Sequence, residues 1–189
     1  MTFSGLTGLS KSMRVPAPAD ALRVARALLN VSQREAAERA KVMQKSISAA
    51  ENSKSVLLET NLALVDFYRG QGIELLGEGL IGESIRRSGA KWVGPDGPAS
   101  LQKADVTFHA EVTDVSFRAA RALLDKEQTE VGKQAKLSVD VIKHLESGAE
   151  SSKSQMILRE WYEGQGVEFT GWGDVDTRRF YGVGVRWRS

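Results

Sequence analysis

The sequence predicts a mainly α-helical protein made of two tandem helix-turn-helix units, each ending in a short β-ribbon. The first observation behind this prediction is an internal repeat, because the two halves of the chain carry many identical residues in the same order. The second is a set of helix-capping and helix-ending residues that recurs in each half. Together they indicate two copies of one small folding unit.

The repeat covers most of the 189 residues. At an offset of 95 positions, the second half carries the same residue as the first at Arg23, Ala25, Arg26, Ala27, Leu28, Leu29, Gln33, Glu35, Ala40, Lys41, Ile47 and Glu51. After a one-residue gap, the match resumes with residues 68–77 against residues 162–171. We therefore divide the chain into a flexible N-terminal arm at 1–17, a first helix-turn-helix domain at 18–93, a linker at 94–111 and a second domain at 112–189.

Start signals for three successive helices occur in the first unit. Apolar residues at helical spacing follow Asp20, which we expect to cap the first helix. Ser32 followed by Glu35 forms a capping box, which predicts the start of a second helix that ends near Lys41. Residues 44–51 predict a short third helix with an exposed polar face.

The remainder of each unit predicts one more helix and a ribbon. A fourth helix is expected at residues 61–68, and the Gly-Gln-Gly run at 70–72 ends it. Segments 73–75 and 90–93 have strand-like sequences and predict a two-stranded ribbon. The second unit repeats this plan after a run of glycine and proline that begins at Gly94 and is typical of a linker.

Composition excludes several classes of protein. The chain has no Cys, which excludes disulfides, thiolate zinc sites and thiol nucleophiles, so a reducing cytoplasm suits it. No apolar run approaches the ~20 residues that span a bilayer. Residues 1–18 lack the apolar region of a secretory signal. With 26 Lys and Arg against 24 Asp and Glu, the net charge of +2 permits nucleic-acid binding without arguing for it.

Signatures of enzymes are lacking in the sequence. The Gly-Gln-Gly runs at 70–72 and 164–166 follow predicted helices and lack the third glycine of a dinucleotide-binding loop. The chain contains no nucleophile elbow, no Walker A loop and no HExxH motif. Its two histidines, His109 and His144, are far apart in sequence. We therefore expect no catalytic activity, no cofactor and no metal site.

A known family pattern is visible in the helices of the first unit. The pattern consists of Arg26, Gln33, Ala37, Val42, Ile47 and residues 51–54. It resembles the phage repressor and Cro-like (Xre-type) helix-turn-helix family, and segment 68–77 is similar to that of small bacterial Xre-type regulators often carried on mobile elements. The resemblance covers both units and implies repressor-like helix-turn-helix domains that bind DNA and regulate transcription.

The resemblance also implies two structural ion pairs. In the family, the arginine matching Arg26 pairs with the glutamate matching Glu51, which joins the first helix to the third. The second unit carries the same two residues as Arg121 and Glu146. A guanidinium can bind a carboxylate through two hydrogen bonds, and a partly buried pair fixes the orientation of the helices.

The DNA contacts implied for the first unit lie at the start of the second helix, along the third helix and in the loop after it. They are Gln33, Arg34, Gln44, Lys45, Ser48, Ala49, Asn52 and Lys54. Gln33 can cap its helix beside a phosphate, Gln44 can bond to adenine through both atoms of its amide, and Lys45 can donate to guanine. Ala49 can contact only a thymine methyl group.

The second unit departs from the family pattern on the third helix. Its candidate contacts are Gln128, Ser138, Lys143 and His144, but Asp140 lies among them and repels phosphates. Residues 112–171 carry 8 basic and 10 acidic side chains, against 8 and 7 in residues 18–77. We expect the second unit to bind DNA more weakly than the first, either reading a different half-site or serving dimerisation.

Two classes of function remain open from the sequence. The first is a sequence-specific regulator of transcription that binds double-stranded DNA in the nucleoid, as a single pseudo-dimeric chain or as a homodimer. The second is a protein-interaction module, similar to an antiactivator or antitoxin, whose degenerate second unit docks a protein co-regulator. Asp140 and the near-neutral net charge favour the second class. Neither class involves a membrane.

Overall fold

The computed structural model describes residues 15–79, 84–95, 107–149 and 151–189. Most of the predicted N-terminal arm and the centre of the predicted linker therefore lie outside the described residues. In the rest of the chain, each unit folds as four helices followed by two long antiparallel strands. The two units have the same order of elements, in agreement with the sequence repeat.

The N-terminal unit contains α1 (Ala19–Leu28), α2 (Gln33–Ala40), α3 (Gln44–Glu51), α4 (Leu58–Gly70), β1 (Ile73–Glu78) and β2 (Arg86–Trp92). The C-terminal unit contains β3 (Ala110–Glu111), α5 (Phe117–Leu123), α6 (Gln128–Ala135), α7 (Val139–Glu146), α8 (Ser152–Gly164), β4 (Val167–Asp174) and β5 (Arg179–Trp187). The short strand β3 lies at the end of the predicted linker and pairs with β5.

Local signals predicted the helices of the N-terminal unit with errors at the start of α1 and at both ends of α4, which was expected at residues 61–68. Ser32 accepts a hydrogen bond from the backbone N–H of Glu35, which confirms the predicted start of α2. The third helix spans the predicted residues. Asp20, however, is not the cap of α1, because Pro18 holds that position and its carbonyl accepts the N–H of Leu22 at 3.1 Å. Asp20 lies in the first turn of the helix, where its carboxylate is free to bind elsewhere.

One continuous antiparallel sheet joins the two units. The hairpin β1–β2 and the hairpin β4–β5 are connected because β2 pairs with β5, which also pairs with β3. The prediction of a mainly α protein with two separate ribbons is therefore wrong: eight helices and a five-stranded sheet in the described residues make the fold mixed α/β. The physical reason is that an isolated two-stranded ribbon leaves unpaired backbone groups along both edges, and pairing two edges satisfies them.

The register of this strand pair is symmetric. Ala90 lies opposite Val185, and these two residues occupy the same position in the repeat. Gly89 lies opposite Arg186, and Lys91 lies opposite Gly184, so exchanging the two units reproduces the pairing. An interface of this kind is the one found in two-fold symmetric dimers. The units are therefore related by a pseudo-twofold axis that passes between Ala90 and Val185.

Two glycines allow the strands to approach at this axis. A Cβ atom at Gly89 would lie 2.1 Å from the carbonyl oxygen of Val185, and one at Gly184 would lie 2.3 Å from the carbonyl oxygen of Ala90. No side chain fits at those distances. The repeated glycines of the sequence are thus required by the contact between the units.

Helices α1 and α5 also pack across the axis, and buried residues of both units form one continuous hydrophobic core. Polar contacts add to this packing. The carboxylate of Asp20 accepts hydrogen bonds from Ser88 Oγ at 2.5 Å and from Trp187 Nε1 of the other unit at 2.8 Å. The repeat-related Trp92 lacks such a partner for its buried Nε1, because Val115 replaces the aspartate there.

A carboxylate on β4 ties the strands of the two units together. Glu168 accepts hydrogen bonds from Arg186 at 2.6 Å and from Arg87 of the other unit at 3.1 Å. The hydrogen bond from Arg186, together with the charges of both arginines, holds the pKa of Glu168 below its usual value. The junction between the units therefore contains buried apolar contacts, paired strands and ion pairs, as a single folded body requires.

Candidate nucleic-acid interface

The Arg26–Glu51 pair links α1 to α3 in the N-terminal unit. Arg26 Nε lies 2.6 Å from Glu51 Oε1, Arg26 Nη2 lies 2.9 Å from Glu51 Oε2, and the glutamate side chain is 2% exposed. Gln33 Nε2 donates to the same carboxylate at 2.8 Å, which adds the start of α2. Burial alone would lower the pKa of Arg26, but the hydrogen bond and the charge of Glu51 raise it. The three helices are thereby held in one orientation.

The C-terminal unit contains the same arrangement. Arg121 Nε lies 2.6 Å from Glu146 Oε1, and Gln128 Nε2 donates to Glu146 Oε2 at 2.8 Å. The two glutamines expected to contact DNA are thus half-buried, and each donates an amide N–H to a carboxylate. The second amide N–H, the amide oxygen and the helix backbone beside them are the groups left for a contact with DNA.

A left-handed turn sets the angle between α2 and α3. Lys41 has a φ of 56°, and the N–H of Val42 donates to the carbonyl of Ala37 at 3.0 Å. Lys136 has the same φ of 56° between α6 and α7. A non-glycine residue in this conformation costs on the order of 1 kcal/mol. The turn also leaves the lysine side chain exposed beside the helix that follows.

Helix α3 presents a polar face to the solvent. Its Ile47 and Ala50 are buried, whereas Gln44 and Lys45 are exposed. Ser48 and Ala49 are half-buried, so they are reached only by a partner that fits closely against the helix. Beyond the helix, Asn52 and Lys54 are exposed, and the amide of Asn52 donates to the carbonyl of Ser48 at 2.7 Å. The candidate residues are therefore close together at one end of the unit.

Four exposed cations surround α3 without a carboxylate partner among the described residues: Arg34, Lys41, Lys45 and Lys54. The corresponding positions of the C-terminal unit hold Thr129, Lys136, Asp140 and Ala149. The two units have the same order of helices, so the side chains at matching positions can be compared directly. Of these four positions only Lys136 is a cation in the C-terminal unit, so the N-terminal unit presents the more positive surface around its third helix.

The candidate residues of the C-terminal unit serve different contacts. Ser138 caps α7, because its hydroxyl accepts the N–H of Val141 at 3.3 Å. Asp140 is 95% exposed, and Lys143 Nζ lies 3.8 Å from its carboxylate. His144 is exposed, and among the described residues its ring makes no hydrogen bond or ion pair. The exposed face of α7 therefore carries an acidic group where α3 carries Lys45.

Other kinds of site have little support in the described ranges. No group of three His, Asp or Glu side chains in these ranges is arranged to hold a metal ion. No described helix combines the length and the apolar character that crossing a membrane requires. Comparisons of the chain with family models, with curated proteins and with solved structures found no match. The features that bear on function are therefore the geometry and charge of α3 and its surroundings.

Proposed function

We propose that the protein is a sequence-specific regulator of transcription that binds double-stranded DNA through α3. The observation that carries this proposal is the set of unpaired cations around the exposed face of that helix, described above. DNA carries one negative charge per ~1.7 Å of helix axis, and cations without an internal partner are free to neutralise it. A cytoplasmic, nucleoid-associated location accompanies this function.

The side chains of the N-terminal unit divide into two roles. Arg34, Lys41 and Lys54 contact phosphates and set the position of the unit on the duplex. Gln44 and Lys45 read base edges in the major groove, since an amide can pair with adenine and an ammonium can donate to guanine. Ser48 and Ala49 lie deeper on the same face and limit which bases fit against the helix.

The C-terminal unit contributes to DNA binding mainly by holding the N-terminal unit in place. The carboxylate of Asp140 repels a phosphate backbone, and the cap of α7 already engages the hydroxyl of Ser138. Lys143 and His144 are the groups left for a weaker second contact. Because the two units are related by a pseudo-twofold axis, the operator we expect consists of two unlike half-sites instead of a true palindrome.

The test is a selection experiment followed by one substitution. Purified protein is incubated with fragmented genomic DNA at physiological salt, and the retained fragments are sequenced. We expect a recurrent motif, and Lys45→Ala should relax preference at one base position by about 1–3 kcal/mol. Asp140→Ala is the matched control, which should leave binding unchanged or tighten it. Retention of random fragments, or an unchanged motif with Lys45→Ala, would contradict the proposal.

A protein-interaction module is the second candidate function, and three exposed apolar side chains favour it. Met43, Leu57 and Leu58 are 61%, 72% and 58% exposed. The repeat-related positions in the C-terminal unit hold the serines at 138, 151 and 152. Salt dependence separates the two functions, because a DNA complex with several phosphate contacts loses orders of magnitude in affinity between ~50 and ~200 mM salt, whereas apolar docking does not.

A further inference from the structure

A cleft with a volume of about 530 Å³ lies between the two units. Its walls come from repeat-related positions of both units, so it straddles the pseudo-twofold axis. Six basic side chains line it: Arg23, Arg26, Arg118, Arg121, Lys126 and Lys143. A cleft of this volume lies in the range that accommodates a small ligand, and its lining selects for a charged one.

Half of these cations have a close carboxylate partner. Arg26 and Arg121 bind Glu51 and Glu146 as described above, and Lys126 pairs with Glu130. These pairs neutralise the positive charge of the cleft at three of its six basic positions. The remaining three are Arg23, Arg118 and Lys143. They differ in how many of their N–H groups already bind a protein acceptor.

Arg23 and Arg118 occupy the same position in the repeat but have different partners. Arg23 donates through Nε to the carbonyl of Ala122 at 3.0 Å, donates through Nη1 to the carbonyl of Glu51, and lies 3.6 Å from Asp125. Arg118 makes one hydrogen bond among the described residues, from Nη2 to the carbonyl of Glu146 at 3.3 Å. Its Nε and Nη1 donors therefore have no protein acceptor in the cleft.

One difference between the two units lies in the residue opposite each arginine. The position that holds Asp125 in the C-terminal unit holds Asn30 in the N-terminal unit, and both residues line the cleft with a φ of 53°. Asp125 gives Arg23 a partner across the axis, whereas Asn30 is neutral and gives Arg118 none. Among the described residues, the side chain of Arg118 is thus a guanidinium in the cleft with no carboxylate paired to it.

We propose that this cleft binds a phosphate group through Arg118, with Lys143 and the amide of Asn30 as additional donors. The free Nε and Nη1 donors of Arg118 lie on different edges of the guanidinium, so each can donate a charge-assisted hydrogen bond to a phosphate oxygen. Lys143 supplies a second charge, since its only partner in the part of the chain that the structure describes is the exposed carboxylate of Asp140 at 3.8 Å. Glu127 also lines the cleft, and its negative charge limits the affinity.

The phosphate has two chemical sources. One is the backbone of a duplex that spans both units, and this source rests on the proposed function. The other is a free phosphate compound, which requires no DNA. Both sources use the same donors, so the experiment has one arm for each and reports on them separately.

The test uses the full chain and the substitution Asn30→Asp, which places opposite Arg118 the same carboxylate that pairs with Arg23. Aspartate already adopts the required backbone conformation at position 125, so we expect the variant to fold. Binding of pyrophosphate is measured by calorimetry, and binding of a mixed-sequence duplex is measured over a range of salt. We expect Asn30→Asp to weaken at least one of the two by about tenfold.

Matched variants make the result specific to the cleft. Asp125→Asn releases Arg23 from its ion pair and should leave the affinity unchanged or raise it. Glu127→Gln removes the opposing charge and should raise the affinity. Folding of each variant is checked by circular dichroism, so that loss of binding is not confused with loss of structure.

Each outcome either identifies the source of the phosphate group or overturns the proposed phosphate site. Weaker pyrophosphate binding alone supports a free phosphate compound, and a weaker duplex complex with about one fewer ion released supports the DNA backbone. If neither probe binds the native protein, or if Asn30→Asp changes neither affinity, the proposal is overturned. Failure of DNA binding with pyrophosphate binding intact rejects the proposed function and leaves the phosphate cleft standing.

Discussion

The contact of β2 with β5 provides the sharpest test of the fold. The substitution Gly89→Ala adds a Cβ atom 2.1 Å from the carbonyl oxygen of Val185 and 2.6 Å from the Cα of Arg186. Both contacts are with backbone atoms, so no side chain can move aside. The two strands must therefore separate, which breaks the register at the pseudo-twofold axis.

The expected cost follows from the distances. Relieving these contacts requires about 1 Å of separation beyond the ~4.8 Å spacing of paired strands, which stretches their hydrogen bonds past useful length. Each hydrogen bond contributes about 1 kcal/mol net, and overpacking adds about 1–3 kcal/mol. We therefore expect Gly89→Ala to lower the free energy of unfolding by at least about 3 kcal/mol.

Urea denaturation followed by circular dichroism and tryptophan fluorescence measures this change. Gly70→Ala is the matched control, because no atom lies within 4 Å of the added Cβ at the end of α4. That control should stabilise the protein by up to about 1 kcal/mol. If Gly89→Ala unfolds within about 0.5 kcal/mol of the native protein, the strand contact between the units does not carry the stability that we assign to it.

Three further predictions concern side chains that join elements. Glu51→Ala leaves the half-buried Arg26 without its carboxylate partner and should lower the free energy of unfolding by about 3 kcal/mol, whereas Glu59→Ala at an exposed position should lower it by less than about 0.5 kcal/mol; equal losses would show that the pair adds nothing. Because the pKa of Glu168 is lowered in the folded state, its carboxylate stabilises the fold above the usual pKa of 4.5, and this stabilisation is lost as the pH falls below that value. Glu168→Gln should therefore make the free energy of unfolding less dependent on pH in the acid range. Asp20→Ala removes the hydrogen-bond acceptor of Trp187, so it should lower the free energy of unfolding by about 1–3 kcal/mol and shift the tryptophan fluorescence emission. Asp20→Asn should restore part of the stability and part of the emission shift, and an unchanged emission spectrum with Asp20→Ala would contradict the hydrogen bond.

Local physical rules explain why the helices could be predicted from the sequence. The cap at Ser32 and the buried positions of α3 depend on residues three or four apart, which interact within one helix whatever surrounds them. Asp20 shows the limit of such rules. Its residue type suits a helix cap, but its carboxylate contacts Trp187, which lies far away in sequence.

The candidate interface was accessible to sequence reasoning only in part. Residue types and spacing predicted which side chains lie on the outer face of α3. They did not reveal that Gln33 and Gln128 donate to buried carboxylates, because that contact depends on the angle between three helices. They also did not reveal that Arg23 has a carboxylate partner while Arg118 has none among the described residues, because the partner of Arg23 comes from the other unit.

By itself the sequence determined that the chain consists of two copies of one unit and where α2 and α3 begin and end. The repeat follows from residue identities alone, and the ends of these helices depend on residues close together along the chain. Only the tertiary structure decided that the two ribbons merge into one sheet around Ala90 and Val185. Strand pairing joins backbone groups that are distant in sequence and nearly independent of residue type, so no local pattern shows which edges will meet.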